Sequence, residues 1–270
     1  MTCACGQHHK HAPPIVQSGE EITLAEPLLE ISGYLRCADI GQLMRALDLL
    51  PEHAELSRAE PGNLRFDLAQ TDDPMVFALN ELYAGSEAFE AHRTRLQGAR
   101  WGAESHGIVR EFNHRKIMPQ IRDEMYHDRD AISELLTQAF GGSDEARLVD
   151  MLRRDGHLAL SLVAEAGGTV IGHVALSPIV ADIPALALAP VAVHPALQGR
   201  GIGSALIHAA MAAFADHAII VLGEPEYYGR FGFKPVDLTS PYAGPYLMGT
   251  GCEGLPAGSR IAHAPAYSMI

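Results

Sequence analysis

Basic residues are the scarce class in this 270-residue chain: 20 Lys and Arg stand against 33 Asp and Glu, a formal net charge of −13. Both halves share the deficit. Residues 1–116 hold eleven basic and seventeen acidic residues and residues 117–270 hold nine and sixteen, so neither offers a positive face to nucleic acid, which is excluded as a partner. Long apolar runs are also missing: although 47% of residues are hydrophobic, no stretch approaches the ~20 needed to cross a bilayer. No charged segment followed by an apolar one opens the chain, so the expected setting is cytoplasmic, without a membrane partner. The four cysteines, Cys3, Cys5, Cys37 and Cys252, are too irregularly spaced for a disulfide framework.

What is present centres on residues 191–206. An apolar run, Val191-Ala192-Val193, feeds His194-Pro195-Ala196-Leu197 and then Gln198-Gly199-Arg200-Gly201-Ile202-Gly203-Ser204, which opens a helix. The glycines let the backbone turn tightly and approach a ligand, and the first helical amides have no partner, so the segment builds a cradle for a phosphate. Its spacing is neither that of a P-loop nor that of a dinucleotide fold. About twenty-five residues on comes a second motif, Glu224-Pro225-Glu226-Tyr227-Tyr228-Gly229-Arg230-Phe231-Gly232-Phe233.

With the two motifs in this order, residues 117–270 resemble the GNAT superfamily of N-acetyltransferases. The resemblance implies acetyl-CoA as co-substrate and the amine of a small molecule as acceptor, attacked directly in a ternary complex with no bound metal. It puts residues 198–204 on the pyrophosphate and the backbone of Val191, Ala192 and Val193 beside the acetylated end, between two splayed strands. Arg200 and Arg230 stand out as partners for CoA phosphates. Tyr228 matches the family's tyrosine that protonates the departing thiolate, a transfer from a phenol of reference pKa about 10 to a thiol of about 8.5. Many members carry a glutamate base on the fourth strand. Residues 186–193 hold no acid or base, which leaves His194 and His173 as candidates.

Residues 1–116 are a different object. Alternation marks strands at 28–37, 63–69, 75–83 and 108–114, and helices are expected from the stripe Ile40, Leu43, Met44, Leu47 and Leu50 and over 86–96. Strand, helix, strand, strand, helix, strand is the ferredoxin-like order. Within it, residues 59–68 and 81–93 resemble the antibiotic biosynthesis monooxygenase family, which includes quinol monooxygenases. The resemblance implies a homodimer of such units around an apolar pocket. A small aromatic or quinol ligand would be oxidised there without metal or flavin, with Tyr83 and His92 as catalytic candidates and Asn80 and Trp101 as further polar lining. Haem-degrading relatives carry a tryptophan where Tyr83 stands, which argues against haem. A four-stranded sheet with both helices on one face is also expected to leave apolar members of 64–68 and 76–82 uncovered, and a second copy would cover them.

The expected architecture is therefore α+β: a flexible tail over 1–27 containing Cys3, Cys5, His8, His9 and His11, a ferredoxin-like domain over 28–115 and a GNAT fold over 117–270. An alternative function is ligand sensing, in which the front domain binds a small aromatic molecule and the back domain binds CoA without turnover.

Overall fold

The computed structural model describes residues 19–270. Cys3, Cys5 and the three histidines of the tail lie outside them. The segment 19–27, expected to belong to that tail, is integrated into the fold. Strand β1 (Glu20–Glu21) pairs with a strand a hundred residues later. Ile22 and Leu24 are buried in the core, and burial of two large side chains outweighs the freedom of a short terminal segment.

The first unit follows the ferredoxin-like order: β2 (Leu28–Arg36), α1 (Ile40–Arg58), β3 (Asn63–Gln70), β4 (Val76–Tyr83), α2 (Ser86–Gly98), a short α3 (Arg100–Glu104) and β5 (Val109–Ile117). Its sheet runs β3-β4-β2-β5 and is antiparallel throughout. Asp39 starts α1 by accepting the Gln42 amide at 2.8 Å, while the Gln42 side chain accepts the Ala38 amide at 2.9 Å, a reciprocal cap. The helix then turns only part of its apolar stripe inward, Leu50 being buried and Leu43 packed beside it. Ile40, Met44 and Leu47 are exposed, and the buried set is Ala46, Leu49, Leu50, His53, Ala54 and Ser57. It also runs on through Pro51, because this buried i, i+3, i+4 face holds the second half in place despite one lost amide hydrogen bond.

The outer face of the sheet differs from expectation as well. Phe66, Phe77 and Leu79 point to the helices. Leu28 and Leu82 point outward but are fully buried in a core shared with the second unit, with Leu64 packed beside them. The rest of that face mixes polar groups such as Asp67, Asn80 and the Arg36–Glu111 ion pair with the exposed side chains of Tyr34 and Val109. The second unit thus covers the end of this face that carries Leu28, Leu64 and Leu82.

The second unit comprises β6 (Gln120–Asp123), α4 (Arg129–Phe140), α5 (Asp144–Arg154), β7 (Leu160–Ala166), β8 (Thr169–Ile179), β9 (Ala185–Val193), α6 (Ile202–Ala213), β10 (Ala218–Leu222), α7 (Pro225–Gly229), β11 (Lys234–Pro235), β12 (Leu238–Thr239), β13 (Leu247–Thr250) and β14 (Ser259–Arg260). The main sheet is ordered β1-β6-β7-β8-β9-β10-β13-β11. Helix α6 buries Leu206, Ile207 and Ala210 against one face, where Ile171 and Val174 lie, and α4 and α5 bury Ile132, Leu136 and Val149 against the other, where Val163 and Ala192 lie. Among the described residues no helix is long and apolar enough to cross a membrane.

Candidate functional sites

In the second unit the decisive feature is where strand pairing stops. β9 and β10 run parallel and pair only over Ala185–Ala187 with Ala218–Ile220. β9 continues to Val193 and β10 to Leu222 without pairing to each other, so the two strands part and the backbone of the last two thirds of β9 has no partner on that side. The turn that follows opens the gap further. Gly199 and Gly201 adopt φ of +76° and +91°, where a side chain is strained whatever the space. Gly203 is glycine for another reason: a Cβ there would meet the Tyr227 hydroxyl at 3.1 Å and a Val193 methyl at 3.4 Å. No side chain caps α6, so its first amides face a recess of about 450 Å³ bordered by Val191, Val193, Gln198, Ser204, Tyr227 and Arg230. Ala192, the alternate residue, is buried on the α4 side.

The two arginines are placed differently. Arg230 donates to the Ser204 hydroxyl at 3.2 Å and lies over the Tyr227 ring at 4.1 Å, at the rim of the recess. Arg200 points away from it: its guanidinium donates to the carbonyls of Ala84 and Glu26, fastening the glycine loop to the first unit.

Tyr228 sits on α7 with its ring packed over Gly223, where any Cβ would meet the ring at 2.3 Å, and against Phe233 and the α6-side core. Burial pushes its pKa up to about 12. The structure does not bring the two candidate histidines to Tyr228. His173 is fully buried and lies opposite Val163 and Ala192, in the α4–α5 layer. It meets the Ser161 hydroxyl at 2.9 Å, which in turn donates to Glu124 at 2.5 Å, and burial lowers its pKa to about 3. His194 caps the turn after β9 by accepting the Ala196 amide at 3.3 Å, and it borders a groove between the two units.

In the first unit the sheet and helices enclose a cavity of about 360 Å³. Here the site is made of side chains. His53 stacks on Trp101 with ring centres 5.4 Å apart and 8° between planes, and meets Phe66 edge-on at 5.2 Å. Arg110 lies over the Trp101 ring at 5.4 Å and donates to the Ser105 hydroxyl at 2.6 Å. His92 is buried, packs against Tyr83 at 5.4 Å, and its Nδ1 meets Glu60 at 2.9 Å. Glu60 is also held by Arg95 at 2.5 Å. Desolvation lowers the pKa of His53 to about 3 and lowers that of His92 against the pull of Glu60. Asn80, expected in the lining, is exposed on the opposite side of β4, and Trp101 is part of the wall.

Several residues bordering the two sites were not anticipated, among them Glu81, His53, Arg110 and Tyr227. Glu81 shares the inward set of β4 with Leu79 and Tyr83, a signal present in the alternation of the strand. His53 falls just past Pro51, which hides it from a search for helical stripes. Tyr227 has no signal separating it from Tyr228. Among the described residues no three His, Cys, Asp or Glu side chains gather as a metal site.

Comparison with known proteins agrees with this division. The model of the acetyltransferase (GNAT) family matches residues 129–233, and that of antibiotic biosynthesis monooxygenase matches residues 33–101. The uncharacterized N-acetyltransferase YhbS of Escherichia coli strain K12 is 39% identical over 121 residues, covering 42% of this chain and 72% of its own. YjhQ from the same strain, also an uncharacterized N-acetyltransferase, is 37% identical over 129 residues, 44% of this chain and 71% of its own. A crystal structure of E. coli YhbS in complex with CoA superposes with a TM-score of 0.52 at 28% identity, covering 56% of this chain and 92% of that one. The chain belongs to the GNAT family of acetyltransferases, and it carries an antibiotic biosynthesis monooxygenase domain of ferredoxin-like fold ahead of the acetyltransferase domain.

Proposed function

We propose that the second unit transfers the acetyl group of acetyl-CoA to the amine of a small molecule. The observation that carries this reading is the parting of β9 from β10 beside an uncapped helix N-terminus: a pyrophosphate fits the free amides of α6, and an extended pantetheine arm fits the unpaired edge of β9 at Val191 and Val193. The acetyl carbonyl then lies in the gap. The amine nitrogen attacks it, the C–N bond forms as the C–S bond breaks, the sulfur takes a proton from Tyr228, and the proton lost by the nitrogen passes to water, which returns one to the phenol. Its raised pKa keeps the phenol protonated in the resting enzyme. Donation to a free thiolate is uphill, so it accompanies C–S cleavage. Gln198 and Arg230 border the phosphate end, while Arg200 holds the loop from behind.

For the first unit, the reading is a cavity for a flat phenol or quinol, supported by its stacked rings and its match to the monooxygenase family. A thiol-detecting assay of CoA release over a panel of amines, run beside oxygen uptake with several quinols, tests both halves. Failure of every amine in the panel to release CoA, together with tight binding of both ligands, would favour sensing without turnover.

A further inference from the structure

Glu81 is the one carboxylate bordering the first unit's cavity, and it is 4% exposed. The two-residue period of β4 aims it at the helices with Leu79 and Tyr83. The side-chain donor beside it is the neutral Tyr83 hydroxyl. Arg95, the cation that bears on it, is already engaged by Glu60 at 2.5 Å and Ser57 at 2.8 Å. The neighbouring Tyr83 hydroxyl makes no hydrogen bond of normal length, although it is close enough to hold the carboxyl's pKa down slightly. Burial wins, and the pKa rises to about 7. A buried carboxyl compensated by so little is costly unless something brings a further donor.

The surroundings select what that is. Phe66, Phe89, Phe112 and the His53–Trp101 stack give the cavity flat apolar walls. Arg93 from α2 and Arg110 and His114 from β5 also border it, so a cationic amine is disfavoured; Glu60, on the far side of His92, and Glu81 itself disfavour a carboxylate. A neutral hydroxyl on an aromatic ring meets neither objection and supplies the further donor.

We propose that Glu81 accepts the proton of a hydroxyl on a flat aromatic ligand seated in this cavity: the ligand O–H bond breaks as an O–H bond forms on a Glu81 carboxylate oxygen, and the electron pair stays on the ligand oxygen. The ligand becomes a phenolate-type anion in a wall that includes Arg110. The proposal rests on the reading that this cavity takes a phenol or quinol, and it adds the group that activates it. His53, held neutral with a pKa of about 3, does not titrate in the relevant range. His92 is tied to Glu60, which leaves Glu81 as the acceptor.

The test uses the full chain and 4-nitrophenol, whose neutral and ionised forms absorb at different wavelengths. For the wild type, affinity for the neutral form is expected to rise about tenfold between about pH 6 and 8 as Glu81 ionises, and the bound probe's absorption to shift toward the ionised band. Glu81→Gln keeps the shape without accepting a proton, so its affinity for the neutral form is expected to stay flat and its band unshifted. Identical profiles and bands in the two proteins would overturn the role of Glu81 while leaving the cavity reading intact. No saturable binding by either would overturn both. Should the Gln variant fail to fold, as read by circular dichroism, the wild-type profile decides by itself: a flat affinity and an unshifted band overturn the proposal.

Discussion

In the second unit the ligand surface is main chain. It consists of the unpaired edge of β9, two glycines with positive φ and the uncapped start of α6, with Gln198, Tyr227 and Arg230 at its border. In the first unit the surface is made of side chains delivered by both long helices and all four strands, with ionisable groups held in a dry wall. The first kind of site is tuned by backbone conformation and binds charge with dipoles. The second is tuned by desolvation, and its ionisable groups are displaced from their ordinary pKa in opposite directions. The two halves should therefore fail in different ways.

The largest difference is expected from Gly201→Glu. It strains a position at φ +91° and sets a carboxylate against the pyrophosphate, so acetyl-CoA affinity in calorimetry should drop ~10³-fold, the scale of a like-charge contact costing several kcal/mol. Binding of a phenol in the first unit should not change. Equal loss in both would mean that the units are not separable. Next comes Tyr228→Phe, which keeps the ring over Gly223 and removes only the proton. Turnover is expected to fall ~10²-fold with acetyl-CoA affinity unchanged, the mark of a transition-state interaction. A smaller effect belongs to the seam. Arg200→Ala removes a two-pronged donor to Ala84 and Glu26 and should raise KM for acetyl-CoA about tenfold at constant kcat, charge-assisted hydrogen bonds being worth about 1.5–3 kcal/mol before losses to solvent. Lysine, a single point donor, should recover only part of it. An unaltered KM in steady-state kinetics would show that the loop holds its shape unaided.

The smallest expected signal is a pH dependence of melting. Glu81 has a folded-state pKa of about 7 against an ordinary value near 4.5, so the folded chain holds its proton more tightly than the unfolded chain does. Its contribution to stability is fully present below about 4.5 and is lost as pH rises through 7. His53 works the other way: with a pKa lowered to about 3, its contribution is present above 6.5 and lost as pH falls. Subtracting the melting profile of Glu81→Gln from that of the wild type isolates the first effect, and a difference with no slope between pH 4.5 and 7 would refute the assignment.

The same contrast decides what was readable beforehand. The strand at 185–193 and the helix after it announce themselves because Gly-x-Gly spacing reports on backbone conformation directly, and backbone conformation is the site. α1 shows the opposite. Of its stripe, Ile40, Met44 and Leu47 lie in solvent while Leu43 and Leu50 pack inward, and the buried face is completed by Ala46, His53 and Ser57. That face includes small and polar residues whose burial is settled by neighbours distant in sequence. Glu81 lay within reach of a simple alternation argument, but an acid in an inward position runs against the usual preference for apolar cores. The splaying of β9 from β10 leaves no trace in residue type at all, since both strands remain apolar throughout.

The Arg200 bracket has a consequence for the order in which the protein is made. Its carbonyl partners are 116 and 174 positions earlier in the chain, and the strands that carry Leu28 and Leu82 into the shared core are translated well before residue 200. Domains fold as units from the N-terminus during synthesis. When the glycine turn emerges from the ribosome, the surface that fastens it is already assembled, so the first half serves the second as a template, and a circularly permuted chain that reverses their order is expected to recover acetyl-CoA binding more slowly than it recovers secondary structure.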